Sequence, residues 1–191
     1  LIPWFFFSDG INSVTSVFLE YSYLVKKVVF DIKILPVIKI ISAMFVHIFF
    51  IFLIFIVMAL FGYMPSICYI QAFYYSFCMI CLILAIGYFT SSLSVFFRDL
   101  PQLVQVCLSA GMWLTPIMWA FDMLQGYWFS FIFKLNPMFY VVEGYRSAIL
   151  GHQWLFSNWK LTIYFWCVVV LLTLIGRNVF KKMKPHFADV L

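Results

Sequence analysis

The chain has 191 residues, of which 66% are hydrophobic and only 10% are charged, against roughly 45–50% and about 25% in ordinary soluble domains. A soluble domain of this size would leave large apolar patches facing water, so the composition excludes a soluble fold and indicates an all-α, polytopic transmembrane bundle. The net charge of +5 does not indicate a nucleic-acid partner, because the basic residues stand at the ends of apolar runs, where membrane topology accounts for them.

The first predicted element is the end of a span in residues 1–10, since its apolar run is too short to cross a bilayer and a polar break follows it. The run starts without Met, so we expect an N-terminal part of the protein to precede it. Residues 11–36 predict a cytoplasmic amphipathic helix, because Val14, Val17 and Phe18 recur at helical spacing. We expect Pro36 to end this helix.

Long apolar runs predict spans over residues 37–62, 67–95, 100–121 and 161–176. Gly87 and the small residues 90–92 favour close helix packing in the second of these spans. Asp99 followed by Gln102 resembles a capping box at the start of the third span, and Pro116 predicts a kink near its end.

Residues 122–160 are apolar but interrupted by polar residues. Their longest helical piece, residues 137–150, would reach about 21 Å, which falls short of a 30 Å hydrocarbon core. We therefore predict two short re-entrant helices on the extracytoplasmic side, followed after the last span by a cytoplasmic tail in residues 177–191. This topology puts nine of the twelve basic residues inside and leaves Lys134, Arg146 and Lys160 outside, which agrees with the positive-inside rule.

The chain has no residue pattern typical of catalysis, of a metal cluster or of a phosphate-binding loop. We therefore expect no catalytic residues, no metal and no cofactor on this chain. His47 is the one ionisable residue deep within a predicted span, and we interpret it as a packing residue with a local hydrogen bond rather than a proton relay. The Cys78-x-x-Cys81 pair lacks a second pair or a nearby His, so we interpret the cysteines as buried, inert thiols.

Five segments together resemble the polysaccharide export permeases of the ABC-2 type. They are residues 20–36 (EYSYLVKKVVFDIKILP), 94–102 (SVFFRDLPQ), 113–117 (WLTPI), 135–146 (LNPMFYVVEGYR) and 184–191 (KPHFADVL). The segments occur in the family's order and cover essentially the whole chain. Asp31 stands where the family commonly has Pro, and Tyr21 stands where Asn is frequent. Without a Pro at position 31, the helix of the first segment is expected to run further toward Pro36.

The resemblance implies the membrane subunit of an ATP-driven exporter in the bacterial cytoplasmic (inner) membrane. Such permeases form homodimers, pair with separate ATPase subunits that bind ATP and Mg²⁺, and export lipid-linked glycans such as O-antigen, capsular polysaccharide or teichoic acid. A drug or lipid exporter of the ABC-2 type is the alternative. A membrane-embedded glycosyltransferase or an ATP-independent flippase is a third hypothesis, but the acidic cluster or midplane charges that it needs are absent.

The resemblance also gives expected roles to two groups of residues. The group expected to couple the permease to the ATPase comprises Glu20, Tyr23, Leu24, Lys26, Lys27, Arg98 and Asp99. The group expected to hold an external gate comprises Asn136, Pro137, Glu143 and Arg146. Lys26 and Lys27 are also expected to attract a pyrophosphate near the inner leaflet. Each group has a purely structural interpretation as well: the two lysines obey the positive-inside rule, and Glu143 and Arg146 pair at i and i+3 to neutralise each other.

Overall fold

A computed structural model describes residues 1–27, 31–62, 67–119, 130–151 and 159–190, with side chains for all of these except 25–27, 151, 188 and 189. Every regular element in these ranges is helical. The α-helices are α1 (Ile2–Glu20), α2 (Ser22–Lys27), α3 (Ile34–Leu60), α4 (Gln71–Ser94), α5 (Leu100–Leu114), α6 (Ser130–Lys134), α7 (Pro137–Arg146), α8 (Trp159–Met183) and α9 (Phe187–Val190). Short 3-10 turns precede α4 and α9, and a π-helical turn, Ser147–Gly151, extends α7.

Three helices are long and apolar enough to cross a membrane: Ile34–Leu60, Ile67–Ser94 and Trp159–His186. Each has 27 or 28 residues and spans about 40 Å, more than a hydrocarbon core of about 30 Å. Their outward faces carry exposed Phe, Ile, Leu and Val side chains, such as Phe45, Phe49 and Leu171. Water would not tolerate this surface, so the chain is a helical membrane protein.

Helix α4 occupies the centre of the bundle and contacts α1, α3, α5, α7 and α8. Its buried face contains small residues, as the sequence predicted. A Cβ atom at Gly87 would overlap Val14 of α1, and the hydroxyls of Thr15 and Thr90 lie 2.8 Å apart. The Ser94 hydroxyl also donates to the Thr15 carbonyl at 2.7 Å. Small side chains and hydroxyls thus let α1 and α4 approach closely, which is how helices associate in lipid.

The predicted break at residues 8–10 is wrong. Helix α1 continues without interruption from Ile2 to Glu20. Gly10 lies inside it, and a Cβ atom there would stand 2.9 Å from Ile83 Cδ1. The glycine therefore serves close packing against α4 and does not end the helix. Val14, Val17 and Phe18, which recur at helical spacing, form part of the buried face of this helix.

Pro36 begins a helix where the sequence predicted that it would end one. It lies in the first turn of α3, after the N-cap residue Lys33. A proline costs little in that position because the first-turn N–H groups have no partner within the helix. The predicted helix over residues 11–36 is instead the second half of α1, a turn at Tyr21, α2 and, after a turn at residues 31–33, the start of α3. Residues 28–30 lie outside the described residues.

The predicted kink at Pro116 is a helix end. Helix α5 stops at Leu114, and Thr115 is extended, with φ −91° and ψ 135°. Proline disfavours the helical conformation in the residue before it, which accounts for this end. At 15 residues α5 is about 22 Å long. Residues 120–129 lie outside the described residues, as do residues 152–158, so the predicted 122–160 segment is seen only in α6, α7, the π-helical turn and the start of α8.

Candidate functional sites at the two ends of the bundle

The predicted gate residues lie together at the end of the bundle that carries α6 and α7, here called the α7 end. Asn136 is the N-cap of α7: its Oδ1 atom accepts a hydrogen bond from the Met138 N–H at 2.9 Å. Its Nδ2 atom donates to Thr115 Oγ1, also at 2.9 Å. Pro137 occupies the first position of α7, where its missing N–H costs nothing. One asparagine therefore both starts α7 and links it to the end of α5.

Glu143 and Arg146 form an ion pair, with Arg146 Nη1 3.1 Å from Glu143 Oε2. The second guanidinium nitrogen, Nη2, donates to the carbonyl of Pro116 at 2.9 Å and more weakly to that of Trp119 at 3.4 Å. A planar guanidinium can serve acceptors on two sides at once, which a lysine ammonium does less well. Arg146 therefore connects α7 to the chain that leaves α5.

Two of the four gate residues, Asn136 and Arg146, thus contact one segment, residues 115–119, here called the α5 cuff. Sequence reasoning singled out residues 113–117 as a motif but did not identify the cuff as the partner of Asn136 and Arg146. Two of the acceptors are backbone carbonyls, whose position depends on the extended Thr115 conformation and has no signature in side-chain type. The one available signal was the Thr-Pro pair itself, which ends a helix and leaves its last carbonyls without intrahelical partners.

An apolar cavity of about 560 Å³ lies beside Arg146, between α1, α3 and α7. Ile51, Phe55 and Tyr145 line it together with the cuff residue Ile117. The ion pair and the cuff thus stand at the edge of an apolar space.

Behind this site, a buried polar cluster joins three helices. His47 of α3 is 2% exposed, and its Nε2 atom lies 3.1 Å from the Tyr145 hydroxyl and 3.2 Å from the Ser76 hydroxyl. Its ring stacks on Phe6, with ring centroids 4.4 Å apart. The interpretation of His47 as a packing residue with local hydrogen bonds is therefore confirmed.

A second cluster at the α7 end is aromatic. The hydroxyl of Tyr74 accepts a hydrogen bond from Trp166 Nε1 at 3.0 Å and lies 3.4 Å from the Tyr140 hydroxyl. The Tyr140 hydroxyl in turn lies 3.1 Å from Thr162 Oγ1. These contacts fix α7 between α4 and α8. Helix α7 is accordingly buried over most of its length.

The opposite end, here called the basic end, holds the predicted coupling residues. Glu20 ends α1, accepts a hydrogen bond from Ser16, and forms an ion pair with Lys39 of α3 at 2.6 Å. Partial burial raises the pKa of Glu20, but the hydrogen bonds from Lys39 and Ser16 and the Lys39 charge outweigh it and hold that pKa below its usual value. Glu20 therefore joins α1 to the start of α3.

Tyr23 and Leu24 of α2 point in different directions. Tyr23 is 57% exposed, whereas Leu24 packs on a buried cluster that includes Phe18, Val95 and Phe187. Lys26 and Lys27 belong to α2, and their side chains lie outside the described ones. Leu24 thus anchors α2, and Tyr23 faces outward.

Arg98 and Asp99 are exposed in the turn between α4 and α5, next to Phe97, which is 64% exposed. Neither side chain forms an ion pair with any residue that the structure describes. The capping box predicted at Asp99 is wrong, because Asp99 has a helical φ of −85° and its side chain makes no cap hydrogen bond. A residue that is itself helical cannot direct its carboxylate back to the first N–H groups.

Within the described ranges no three His, Cys, Asp or Glu side chains stand close enough to hold a metal ion. Cys68 and Cys78 are buried, Cys81 is half-buried, and Cys107 and Cys167 are exposed on outward helix faces. The prediction of buried cysteines is thus wrong for the last two.

The similarity to known proteins extends over both ends of the bundle. The sequence is 27% identical over 197 residues to an O-antigen export system permease protein RfbA of Klebsiella pneumoniae, and 28% identical over 197 residues to a second protein of that description from the same organism. Each comparison covers 100% of this chain and 73% of the relative. A protein of the same description from Myxococcus xanthus is 22% identical over 190 residues, covering 99% of this chain and 72% of the relative. The profile of the ABC-2 type transporter family matches residues 1–150, and the chain belongs to that family.

Proposed function

We propose that this chain is the membrane subunit of an ATP-driven exporter that moves lipid-linked polysaccharide, of the O-antigen kind, across the bacterial cytoplasmic membrane. The observation that carries the proposal is the similarity over the whole chain to three permeases described as O-antigen exporters. An ABC-2 drug or lipid exporter would share the fold, but no observation favours it.

In this proposal the basic end faces the cytoplasm and binds a separate ATPase subunit, which holds ATP and Mg²⁺. Tyr23, Phe97 and Arg98 support it, because exposed aromatic rings and an exposed arginine are typical of surfaces that bind a protein partner. Glu20 and Leu24 lie behind that surface. Glu20 joins α1 to α3, and Leu24 anchors α2 on the buried core, so a movement of α2 is transmitted to the spans. Lys26 and Lys27 contribute positive charge near the inner leaflet.

The α7 end then lies on the extracytoplasmic side, where α6 and α7 enter the membrane and return to the same side. Helix α7 has 10 residues, about 15 Å, which is half a crossing. Asn136, Pro137, Glu143 and Arg146 hold the α5 cuff against α7 and keep the outer exit closed until the spans move.

A second copy of the chain covers α5. None of the α5 residues is buried, and its exposed face contains Gln102, Gln105 and Ser109. Polar side chains of this kind are disfavoured against lipid tails and pack instead on another helix or along a wet passage. A homodimer in which the two α5 helices face each other places these polar side chains against another helix or along a wet passage between the two copies.

The test is reconstitution. The chain is co-expressed with the ABC ATPase from its own source, and the two are purified together. We expect a stable complex whose ATP hydrolysis rises when lipid-linked glycan is added. Failure of the two proteins to co-purify, or ATP hydrolysis that responds to drugs and not to glycan, would refute the proposal.

A pair of substitutions tests the coupling surface. Phe97→Ala is expected to lower glycan-stimulated ATP hydrolysis at least several-fold while the protein still assembles in the membrane. Phe61→Ala is the matched control, because Phe61 is 77% exposed at the other end of the bundle. Equal effects of the two substitutions would refute a role of the basic end in coupling. Replacing Lys26 and Lys27 together by Gln tests the lysines in the same assay.

A further inference from the structure

A second cavity of about 560 Å³ opens at the basic end. It lies between the start of α3, the ends of α4 and α8, and the first residues after α8. Four cations line it: Lys33, Arg177, Lys181 and Lys184. Its volume is in the range of known ligand sites. The coupling surface proposed above uses none of these residues.

The charges in this cavity are poorly neutralised. Asp31 lies 3.5 Å from Lys33 Nζ and 3.6 Å from Lys184 Nζ, so one carboxylate serves two lysines. Arg177 and Lys181 form no ion pair with any described residue. Among the described side chains, four cations against one carboxylate give a net charge of +3, which favours an anion with more than one acceptor oxygen.

The cavity is a built feature of the fold. The Tyr88 hydroxyl donates to the Lys33 carbonyl at 2.9 Å, which fixes the start of α3 against α4. Phe180 forms part of the wall and is only 4% exposed. Thr173, Arg177 and Lys181 follow at intervals of four along α8, so they share one face over about 12 Å.

The same face of α8 becomes apolar immediately above the cations. Val170 and Leu174 are 55% and 56% exposed and continue the stripe of Arg177 and Lys181 toward the middle of the span. A soluble anion has no use for this apolar extension. A lipid would use both parts of this face, because its headgroup binds cations and its acyl chains pack on apolar side chains nearer the middle of the membrane.

We propose that this cavity binds the phosphate-bearing headgroup of an anionic membrane phospholipid, with its acyl chains along the Val170–Leu174 stripe. Bound there, the lipid bridges α3, α4 and α8 and stabilises their arrangement at the basic end. The site is independent of the exported cargo, so it stands or falls separately from the proposed export function.

The experiment measures heat-induced unfolding of the purified protein in a neutral detergent. Dioleoyl phosphatidylglycerol is compared with dioleoyl phosphatidylcholine, which has the same chains, and with inorganic phosphate. We expect phosphatidylglycerol alone to raise the unfolding temperature in a saturable manner. Native mass spectrometry is expected to show one tightly retained phosphatidylglycerol for each chain.

The chain offers a matched pair of variants. Lys181 and Lys182 are neighbouring exposed lysines in the last turn of α8, but only Lys181 lines the cavity. We expect Lys181→Gln to weaken phosphatidylglycerol binding about fivefold and Lys182→Gln to weaken it less than twofold. Arg177→Gln should act like Lys181→Gln, and its lipid-free unfolding temperature checks that the protein still folds.

Three outcomes would overturn the proposal. Equal losses from Lys181→Gln and Lys182→Gln would mean diffuse attraction to charge and no defined site. Equal stabilisation by phosphatidylcholine would mean that the headgroup is not recognised. Stabilisation by inorganic phosphate at the same phosphate concentration would assign the cavity to a soluble anion.

Discussion

Two residues, Asn136 and Arg146, carry most of the contacts between α7 and the α5 cuff. Arg146 differs from an ordinary surface ion-pair partner because it also donates to two carbonyl oxygens. Its partner Glu143 makes only the ion pair among the described contacts, and the pair is partly exposed, with side-chain exposures of 29% and 36%. Arg146 and Glu143 therefore differ in the number of contacts they make, although their i and i+3 spacing alone gives no reason to distinguish them.

Substitutions should reveal this asymmetry. We expect Arg146→Gln to destabilise the protein by about 1.5–3 kcal/mol, since it removes a charged donor from several acceptors. Glu143→Gln should cost less than about 1 kcal/mol, as is usual for a partly exposed ion pair. Heat-induced unfolding in detergent measures both, and equal losses would contradict the asymmetry.

A charge swap at this pair is not expected to restore stability. A carboxylate at position 146 would face the carbonyl oxygens of Pro116 and Trp119, which repel it. We therefore expect the Glu143→Arg, Arg146→Glu double variant to unfold at a temperature no higher than Arg146→Glu alone. Recovery in the double variant would mean that the carbonyl contacts contribute little.

Glu20 gives the basic end a sensitivity to acid. Its folded-state pKa lies below the ordinary glutamate value of about 4.5, so its ion pair with Lys39 adds stability above that pH. The contribution is lost as pH falls through the folded-state pKa. We expect the unfolding temperature to fall between pH 5 and pH 3, and to fall less in Glu20→Gln.

At the scale of elements, the sequence predicted the existence of the long helices well and their ends poorly. Long apolar runs have one stable arrangement in lipid, so α3, α4 and α8 follow directly from composition. Helix ends depend on competing contacts. Gly10 reads as a break in the sequence, but packing against Ile83 keeps it helical. Pro36 and Pro116 both mark ends, and only the neighbouring structure decides which helix each one bounds.

The candidate sites divide in the same manner. The spacing of Glu143 and Arg146 was enough to predict their ion pair, because it depends on one helix. The contacts of Asn136 and Arg146 with the cuff join residues 20 to 30 positions apart, and no local pattern contains them. The cavity lined by Arg177 and Lys181 was also missed, since in the sequence these residues look like topology signals alone.

Helix α8 packs on α4 through Gly176, where backbone approaches backbone. A Cβ atom at this position would lie 2.8 Å from the Ala85 carbonyl oxygen, which cannot rotate away. We expect Gly176→Ala to lower stability by about 1–3 kcal/mol through overpacking. Gly111→Ala is the control in α5: its Cβ would meet only the end of the Trp4 ring, at 3.2 Å, so the gain in helix propensity should offset the contact. Similar unfolding temperatures for the two variants would contradict tight α4–α8 packing.

At the scale of the whole molecule, charge is divided between the two ends. Lys160 stands at the α7 end of α8, whereas Lys181 and Lys182 stand in its last turn at the basic end. An excess of Lys and Arg marks the cytoplasmic side of a membrane protein. The orientation proposed above follows from this asymmetry together with the short length of α7.

Cysteine labelling on intact cells tests the orientation. In a variant without the five native cysteines, a cysteine at position 134 should react with a membrane-impermeant maleimide, and a cysteine at position 182 should react only after the cells are permeabilised. Lys134 and Lys182 are both exposed, so accessibility to water is matched. Labelling of position 182 from outside would reverse the proposed topology.

Helix α5 is held differently from its neighbours. Among the described residues its main contacts along its length are with α1 and α4, none of its residues is buried, and the Thr115 that follows it is bonded to Asn136. A helix that is bonded at one end and only partly buried along its length can pivot about the bonded end. For a rod of about 22 Å, tilting by about 5° displaces the free end by about 2 Å. Because the opposite end of α5 is the Arg98 turn, a force applied there by the proposed ATPase partner would tilt the polar face of α5 about the contact between Thr115 and Asn136.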